Sequence, residues 1–375
     1  MPQPIMLREH LAVLPPYTSI EPFEVLSARL GRPAKEIIKL DANENPYGPS
    51  ERTRQALAAM DFPHIYPDPE SRALRAALEK HTGIPMHFLV AGSGADELID
   101  LILRLVLEPG DAVISCPPTF GMYPFDTQVN AGSVIEVLRR SDFSLDMAGI
   151  RNAVADRRPK VIFLATPNNP DGSLLPRSIV EDLLTLPILV VLDEAYIEFS
   201  DGDCLGKNTS LLAEAPHRDN LIVLHTFSKW AGLAGLRVGY GTFPEWMLPA
   251  IWNAKQPYNV NVAASVAAIA SLEDLTALIP VVASLKNERK RLFDGLCSIP
   301  YLRPYPSQAN FILCKVLNES EGGCDAAWLK RTLAQKYGIL VRYFDKAGLK
   351  DHIRVSVGKP EHSDTLLIAL REIHE

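Results

Sequence analysis

Three short apolar runs constrain the fold more than any other feature of this chain. Residues 161–165, 187–192 and 221–224 are uniformly apolar, as central strands of a parallel sheet are when helices cover both faces. Each run leads into polar residues, and open α/β sheets keep their ligand sites at the carboxyl ends of such strands. The sequence therefore predicts an α/β fold with a site at one edge of its sheet.

The last of these runs leads into the segment 225–240, which carries a lysine in an unusual setting. Lys229 follows the hydroxyl groups of Thr226 and Ser228 and precedes a stretch of small residues. If such a lysine is held in a dry pocket, desolvation lowers its pKa and frees the amine for Schiff-base chemistry. Arg237, eight residues further on, supplies a fixed positive charge for an anion such as phosphate. By itself, a Ser-Lys pair is also compatible with a surface lysine beside a flexible loop.

Asp193 and Asn169 follow the other two runs. A carboxylate that closes so apolar a strand is costly to bury unless a cation meets it, although an isolated aspartate could also cap the next helix. Asn169 lies in a tight turn made by Asn-Pro and Asp-Gly pairs, where its amide can donate to a phenolate oxygen. Asn169, Asp193, Lys229 and Arg237 thus all come after apolar runs in the chain.

A glycine-rich turn follows the predicted strand 88–91 and opens a predicted helix that runs through residue 107. Gly94, Ala95 and Asp96 lie at this helix start, where unpaired N–H groups favour an anion such as phosphate. The turn is close to the dinucleotide fingerprint G-x-G-x-x-G, so a Rossmann-type oxidoreductase is an alternative. Its third glycine is missing, and no acidic ribose-binding residue follows at the expected distance. These absences argue against the alternative.

The C-terminal third predicts a small α+β domain. Strands are predicted at 310–314, 339–342 and 353–357, with helices at 325–336 and 361–373. Arg342 and Arg354 lie in otherwise apolar strands, which tolerate an arginine only at an edge or beside an anionic partner. That partner could be a ligand or an acidic residue of the same domain. Ahead of these strands, residues 262–297 are predicted to be mostly helical, with a capping box at Ser271 and Asp274 that restarts the helix.

Length and composition limit the class of protein. A chain of 375 residues suits two domains, and the predicted division is an N-terminal arm that joins the small domain (1–45), a large domain (46–264) and a C-terminal small domain (265–375). The formal charge of −7 and the lack of a long basic block argue against nucleic acid as a partner. No apolar run is long enough to cross a bilayer and no secretory signal is recognised, so a membrane partner is not expected.

Cysteine and histidine usage points to a reduced compartment and no metal. The five cysteines are odd in number and scattered, without a C-x-x-C pair, which indicates reduced thiols in a cytosol-like compartment. The nine histidines form no H-E-x-x-H motif and no Cys/His ligand set. A metal site is therefore not predicted.

Two stretches resemble a known family. Ser228-Lys229 and the segment 232–237 resemble the lysine segment of fold-type I aminotransferases that use pyridoxal 5'-phosphate (PLP). The run through residue 241 resembles histidinol-phosphate aminotransferases in particular, and Asp171 and the segment 251–260 resemble their plant-type branch. The resemblance implies an α/β fold: a large domain with a mostly parallel, seven-stranded-type sheet flanked by helices, and a smaller α+β domain.

The resemblance also implies roles for individual residues. Lys229 would hold PLP and move a proton, Asp193 would keep the pyridine nitrogen protonated, and Tyr196 would reach the ring oxygen O3'. The remaining cofactor residues it implies are Gly94, Ala95, Asp96, Phe120, Asn169, Thr226, Ser228, Arg237 and a partner subunit's tyrosine at position 66, so Tyr66 would serve the neighbouring site. The implied substrate residues are Tyr17, Asn45, Tyr66, Tyr258, Arg342 and Arg354.

The implied activity is ping-pong amino transfer in histidine biosynthesis. L-Histidinol phosphate and 2-oxoglutarate would be exchanged for imidazole-acetol phosphate and L-glutamate by a homodimer with shared active sites. Cytoplasm is the expected location, or the plastid stroma if a transit peptide has been removed. An aromatic or broad-range aminotransferase and a phosphothreonine-type decarboxylase are alternatives, because they share the cofactor residues. A non-catalytic binding module on the same scaffold would not need Lys229.

Overall fold

The computed structural model describes residues 8–16, 21–202, 204–317 and 325–374. Its strands are β1 (Ile38–Leu40), β2 (Leu89–Gly92), β3 (Ala112–Ser115), β4 (Ser133–Glu136), β5 (Val161–Ala165), β6 (Leu189–Asp193), β7 (Leu221–Thr226), β8 (Gly239–Thr242), β9 (Leu302–Pro304), β10 (Phe311–Val316), β11 (Ile339–Tyr343) and β12 (His352–Ser356). Its α-helices are α1 (Glu9–Ala12), α2 (Phe23–Leu30), α3 (Glu51–Ala58), α4 (Arg72–Thr82), α5 (Gly94–Val106), α6 (Met122–Val129), α7 (Met147–Arg157), α8 (Arg177–Leu184), α9 (Leu248–Ala254), α10 (Val262–Leu272), α11 (Leu275–Cys297), α12 (Ala326–Thr332) and α13 (Pro360–His374).

A seven-stranded sheet forms the larger part of the protein. Its strand order is β2-β8-β7-β6-β5-β3-β4, and the neighbouring strands from β7 to β4 are all parallel. Only β8 runs antiparallel to its two neighbours. The carboxyl ends of β5, β6 and β7 therefore meet at one edge of the sheet, and the predicted fold class is confirmed.

The central strands are uniformly apolar because both faces of the sheet are covered. Val190 and Leu192 of β6 point into one hydrophobic cluster, whereas Val191 between them points into the cluster on the other face. All three side chains are 0% exposed. Burial of an aliphatic side chain of this size contributes about 1.5–3 kcal/mol to the stability of the fold. The buried strands therefore give rigid support to the polar residues that follow them.

A five-stranded sheet forms the second layer, in the order β1-β11-β12-β10-β9. Strand β1 joins it in parallel with β11, so residues 38–40 of the N-terminal segment belong to this sheet. The long helix α11 connects the two parts, since Leu278 packs in the core of the large sheet and Leu296 packs in the core of the small one. The domain boundaries at 45/46 and 264/265 stay a prediction.

The helix break before α11 arises differently from the prediction. Ser271 lies inside the last turn of α10, where its hydroxyl donates to the carbonyl of Ala267 and contacts the hydroxyl of Thr53. Asp274 occupies the N-cap position of α11 without a side-chain capping bond. The predicted capping box is therefore wrong, because tertiary contact with α3 occupies the serine. In the described part of the chain, α10 and α11 satisfy the length and apolarity of a membrane span only as a pair bent by 84°, and no single helix does.

Candidate active site

A cavity lies at the sheet edge where β5, β6 and β7 end. The residues that line it come from these strand ends, from the start of α5 and from the loop before α6: Ala95, Asp96, Phe120, Ala165, Asn169, Asp193, Ala195, Tyr196, Thr226, Ser228, Lys229 and Arg237. Most of the residues predicted to hold a cofactor are in this set. Most of them lie at or beyond the carboxyl ends of β5, β6 and β7, which meet at one edge of the sheet. Ala95 and Asp96 lie at the start of α5.

Lys229 presents its amine to this cavity. Burial of the amine lowers the pKa of Lys229 to about 8, and the positive charge of Arg354 acts in the same direction. Its Nζ atom donates to the carbonyl oxygen of Ala42 at 3.3 Å, and it lies 5.9 Å from the centre of the Tyr196 ring. A lysine with a lowered pKa is neutral more often at neutral pH, and therefore more nucleophilic, than one in water.

Asp193 ends β6 in a buried position, 5% exposed. Its Oδ2 atom accepts from the hydroxyl of Tyr123 at 2.8 Å, and its Oδ1 atom accepts from the N–H of Ala195 at 3.1 Å. Burial raises the pKa of Asp193 to about 6, although the bond from Tyr123 opposes that rise. A cation in the cavity would therefore stabilise this carboxylate strongly, and Asp193 is placed to receive one.

Tyr123 was given no role by the sequence reasoning. It is fully buried on α6, stacks on Phe163 at 5.2 Å and contacts the Phe120 ring edge-on at 5.5 Å. Phe120 lies in the loop before α6, so its spacing of three residues from Tyr123 gave no signal that the two rings meet. Nothing in the local pattern distinguished it from an ordinary core aromatic.

The start of α5 and Arg237 form a cationic end of the cavity. Arg237 donates from Nη2 to Asp96 Oδ2 at 2.6 Å, and both side chains stay partly exposed. Gly94 has a φ of +78°, and a Cβ atom there would lie 2.6 Å from Arg237 Nη2, so a side chain would displace the guanidinium. The hydroxyls of Thr226 and Ser228 are 2.8 Å apart beside it. A helix N-terminus, a guanidinium and two hydroxyls suit a phosphate group.

The opposite wall comes from the five-stranded sheet and the loop after β1. Arg354 of β12 is 5% exposed and donates to Asn169 Oδ1 at 2.5 Å and to the carbonyl of Asp41 at 2.8 Å. Its guanidinium also lies 5.1 Å from the centre of the Phe311 ring. The guanidinium of Arg354, on the second sheet, is therefore hydrogen-bonded to Asn169 of the first, and its role as a substrate residue stays a prediction.

Among the described residues, six predicted ones do not line the cavity: Gly94, Asn45, Tyr66, Tyr258, Arg342 and Arg354. Tyr66 is 80% exposed and stacks on Tyr258 at 4.8 Å, away from the site of its own chain. Asn45 is buried, and its side chain donates to the carbonyl of Trp230 at 3.0 Å, so it anchors the turn after Lys229. Arg342 is paired across the strands with Arg354 but lines a groove beside α2, and both guanidinium groups contact the Phe344 ring.

Tyr17, a predicted substrate residue, lies outside the described residues. Asn43 was missed by the sequence reasoning, which singled out Asn45 two residues later. The structure places Asn43 Nδ2 at 3.1 Å from the Tyr196 hydroxyl.

Among the described residues, no group of three or more His, Cys, Asp or Glu side chains is arranged to hold a metal ion.

Comparison with known proteins gives the same family from several directions. Residues 35–370 match the family described as aminotransferase class I and II. The chain is 54% identical over 368 residues to the chloroplastic histidinol-phosphate aminotransferase of Nicotiana tabacum. The match covers 98% of this chain and 86% of that protein. It is 50% identical over 373 residues to the histidinol-phosphate aminotransferase of Roseiflexus castenholzii, with 98% of each chain covered.

A solved structure agrees with these sequence matches. The crystal structure of histidinol-phosphate aminotransferase from Sinorhizobium meliloti, in complex with pyridoxal-5'-phosphate, superposes with a TM-score of 0.87 at 29% identity, and the match covers 98% of this chain and 97% of that one. With the lysine, aspartate and arginine at one sheet edge, these matches leave one assignment. The chain belongs to the class I and II aminotransferases and, within them, to the histidinol-phosphate aminotransferases.

Proposed function

We propose that this chain is a PLP-dependent aminotransferase that exchanges an amino group between L-histidinol phosphate and 2-oxoglutarate, giving imidazole-acetol phosphate and L-glutamate. The observation that carries the proposal is the cavity in which Lys229, Asp193, Asn169, Tyr196 and Arg237 converge. Identities of 50–54% with histidinol-phosphate aminotransferases over nearly the whole chain support the substrate. A dinucleotide-dependent oxidoreductase, the alternative raised by the glycine-rich turn, is excluded by the family.

The residues fit the cofactor in charge and shape. Arg237, Ser228 and the N–H groups at the start of α5 would hold its phosphate, with Ala95 and Asp96 at that helix start and Thr226 beside Ser228. Phe120 would cover the ring face, which is the geometry that aromatic rings prefer. Asp193 would face the ring nitrogen, and Asn169 and Tyr196 would donate to the ring oxygen. When bound, PLP supplies an aldehyde for the lysine and an electron-withdrawing ring.

The protein supplies proton transfer, charge stabilisation and exclusion of water. Lys229 has its pKa lowered to about 8, so its amine can accept a proton from the reacting carbon and return it near neutral pH. Asp193 is buried and oriented by Tyr123 and Ala195, so its negative charge stays aimed into the cavity. Such pre-oriented charge costs little reorganisation at the moment of reaction.

Arg354 is the proposed anchor for the anionic end of the substrate, with Arg342 as its helper. Arg354 reaches the cavity wall beside Asn169, and its charge is held by cation–π contacts with Phe311 and Phe344. A guanidinium binds phosphate or carboxylate through two parallel hydrogen bonds. One arginine could therefore accept the phosphate of one substrate and the carboxylate of the other. We further propose that Asn45 lines the entrance by holding the turn after Lys229.

Half-reactions of the purified holoenzyme test the substrate assignment. Separate addition of histidinol phosphate, phenylalanine and phosphothreonine should give the fastest loss of the visible cofactor band with histidinol phosphate, followed by recovery with 2-oxoglutarate. A preference for phenylalanine would favour an aromatic aminotransferase. Release of carbon dioxide from phosphothreonine would favour the decarboxylase alternative.

We also propose a homodimer in which Tyr66 and Tyr258 border the partner's site, with Tyr17 as a further substrate residue. Two observations support this. Tyr66 and Tyr258 stack on each other. Phe62, Ile65 and Tyr66 are all exposed, and an exposed apolar patch is typical of a surface that binds another protein. Lys229→Ala and Tyr66→Ala variants, each inactive or weak alone, should regain activity when mixed under subunit exchange. Mixtures that stay inactive would show that the sites are not shared.

We propose that the protein works in a reducing compartment, either the cytoplasm or the plastid stroma. Cys116, Cys297 and Cys314 are free thiols, and burial raises the pKa of Cys116 to about 12. Relatives from Nicotiana tabacum and Arabidopsis thaliana are named as chloroplastic. Fractionation of the source cells, followed by immunodetection, would distinguish the two locations.

A further inference from the structure

Asn43 lies in the loop after β1, where the two sheets meet behind the cavity. It is 1% exposed, and its backbone has a φ of 56° in the left-handed region. Asparagine is one of the few residues besides glycine that adopts this conformation at small cost. The position thus combines a backbone geometry that most side chains resist with a buried amide that needs hydrogen-bond partners.

Four hydrogen bonds hold this residue. The N–H of Asn43 donates to Ser356 Oγ at 2.8 Å, and the Ser356 hydroxyl donates to Asn43 Oδ1 at 2.9 Å. Asn310 Nδ2 donates to the carbonyl oxygen of Asn43 at 2.9 Å. Asn43 Nδ2 in turn donates to the hydroxyl oxygen of Tyr196 at 3.1 Å. Asn43 therefore connects the five-stranded sheet to the turn that follows β6.

The directions of these bonds follow from the number of available hydrogens. The Ser356 oxygen already accepts from the Asn43 N–H, so its single hydrogen is free to be donated to Asn43 Oδ1. With Oδ1 accepting from this hydroxyl, Nδ2 faces Tyr196. Because the phenol oxygen accepts from Nδ2, its own hydrogen is left to point into the cavity that Tyr196 and Lys229 line.

We propose that Asn43 is a positioning residue that makes the Tyr196 hydroxyl a one-way donor toward the ring oxygen of the bound cofactor, with Ser356 setting the direction. The inference rests on the proposed function, because it assumes that PLP occupies the cavity. Position 43 has a demanding backbone conformation, and this proposal gives its side chain a chemical role beyond forming the turn and packing the loop.

The charges around Tyr196 act together with this bond. Arg354 faces Tyr196 from β12, Asp193 from the end of β6 and Asp96 from the start of α5. Lys229 Nζ lies 5.9 Å from the centre of the Tyr196 ring. Burial raises the pKa of Tyr196, whereas Arg354 and the bond from Asn43 oppose that rise. A phenol that accepts a hydrogen bond is a stronger donor through its own O–H. Loss of the amide should therefore weaken the bond from Tyr196 to the cofactor oxygen.

The test measures the pH midpoint of the visible absorption band of the PLP-loaded protein. Asn43→Gly keeps the left-handed backbone and removes the amide, so the midpoint should rise, by at most about one pH unit, the effect of losing a whole hydrogen bond. The rise is expected because a weaker donor stabilises the negative ring oxygen less, and the protonated form persists to higher pH. Asn43→Asp should raise it at least as much, because a carboxylate takes the Tyr196 hydrogen away from the cavity.

Two comparisons separate this role from a structural one. Asn310→Ala removes a bond to the backbone of Asn43 only, so it should leave the midpoint unchanged. In a Tyr196→Phe background, Asn43→Gly should add no further shift. A shift from Asn310→Ala equal to that from Asn43→Gly, or an undiminished shift in the Tyr196→Phe background, would overturn the proposal.

Further variants guard against loss of folding and against a wrong substrate. If Asn43→Gly does not fold, Ser356→Ala releases the amide orientation without touching position 43, and a smaller upward shift is expected; no shift would overturn the proposal. A wild-type protein that binds PLP with a normal band but does not react with histidinol phosphate would contradict the substrate assignment alone. A wild-type protein with no pH-dependent band would overturn both.

Discussion

The two walls of the cavity are built in different ways. The wall from the seven-stranded sheet carries Asp193, which is the last residue of a buried parallel strand, and Asn169 and Lys229, which follow two others within a few residues. The wall from the five-stranded sheet carries Arg354 and Asn43, which are more than three hundred residues apart in the chain and face the site through one sheet and one loop. In the proposed mechanism, covalent and electronic chemistry is concentrated on the first wall, and orientation and binding of the substrate's anionic end on the second.

This difference predicts different consequences of substitution. Changes on the first wall should slow the reaction itself by orders of magnitude, because they remove groups that act on the reacting atoms. Changes on the second should alter binding, direction or pH response while the chemistry persists. The following predictions test that division.

The largest effect is expected for Lys229→Ala. Loss of the attachment point and of the proton carrier should lower kcat by at least about four powers of ten, the upper range for general acid–base catalysis alone. Borohydride reduction followed by peptide mass mapping should find the cofactor on Lys229 in the wild-type protein and nowhere in the variant.

Lys255 offers a matched control for that variant. It is another buried lysine with a pKa lowered by burial, but it is bound to the carbonyl of Pro69 and to Asn259, outside the cavity lining. Lys255→Met should lower thermal stability without removing cofactor attachment. Attachment that survives Lys229→Ala, or is lost in Lys255→Met, would contradict the assignment.

Asp193→Asn comes next in size. The variant should still bind PLP but turn over about two to three powers of ten more slowly. The reason is that removing one partner of a buried charge pair costs roughly 3–5 kcal/mol, most of it felt in the transition state. Pre-steady-state rates with a saturating amino donor would measure this. Turnover close to the wild-type rate would show that the electronic role of Asp193 is misassigned.

Arg354→Lys tests the second wall. Lysine keeps the positive charge but cannot reproduce the paired hydrogen bonds, and bonds to charged groups contribute about 1.5–3 kcal/mol, so KM should rise by roughly ten- to a hundredfold. The value of kcat should change much less. A fall in kcat with unchanged KM would place Arg354 with the first wall and break the comparison.

The smallest effect is a pH response that depends on one residue of each wall. The Lys229 amine must be neutral to attack an aldehyde, and its pKa is about 8, so attachment of PLP to the apoprotein should accelerate about tenfold per pH unit below 8 and level off above it. Because Arg354 helps to lower this pKa, Arg354→Met should move the midpoint upward. A midpoint that stays in place would show that burial alone sets it. Stopped-flow absorbance on apoprotein would measure both.

The first wall was largely predictable from sequence. Lys229, Asp193 and Asn169 each follow a run of apolar residues that only a doubly covered parallel strand explains, and parallel strands bring their carboxyl ends to one edge. The same reasoning placed Gly94 and Arg237 at the anion end. Tyr123 was not predicted, because buried tyrosines beside other aromatic residues are common in cores. Its hydrogen bond to Asp193 depends on how α6 packs against α5, β3 and β4.

The second wall was predicted only in part. Arg354 stood out as a charge in an apolar strand, whereas Asn45 was chosen over Asn43 in the same short loop. Both asparagines are buried, yet one donates to a backbone carbonyl and the other to the Tyr196 hydroxyl. That choice is made by the position of β12 and its Ser356, which lies 313 residues away from Asn43 in sequence.

Sequence alone determined the strand pattern, the family and the identity of the groups available for chemistry, because hydrophobic periodicity and side-chain type are local properties of the chain. Tertiary structure alone decided which wall each group joins and which way its hydrogen bonds point. Those properties depend on how α11 and β1 bring the second sheet against the first, and no stretch of residues encodes that contact by itself.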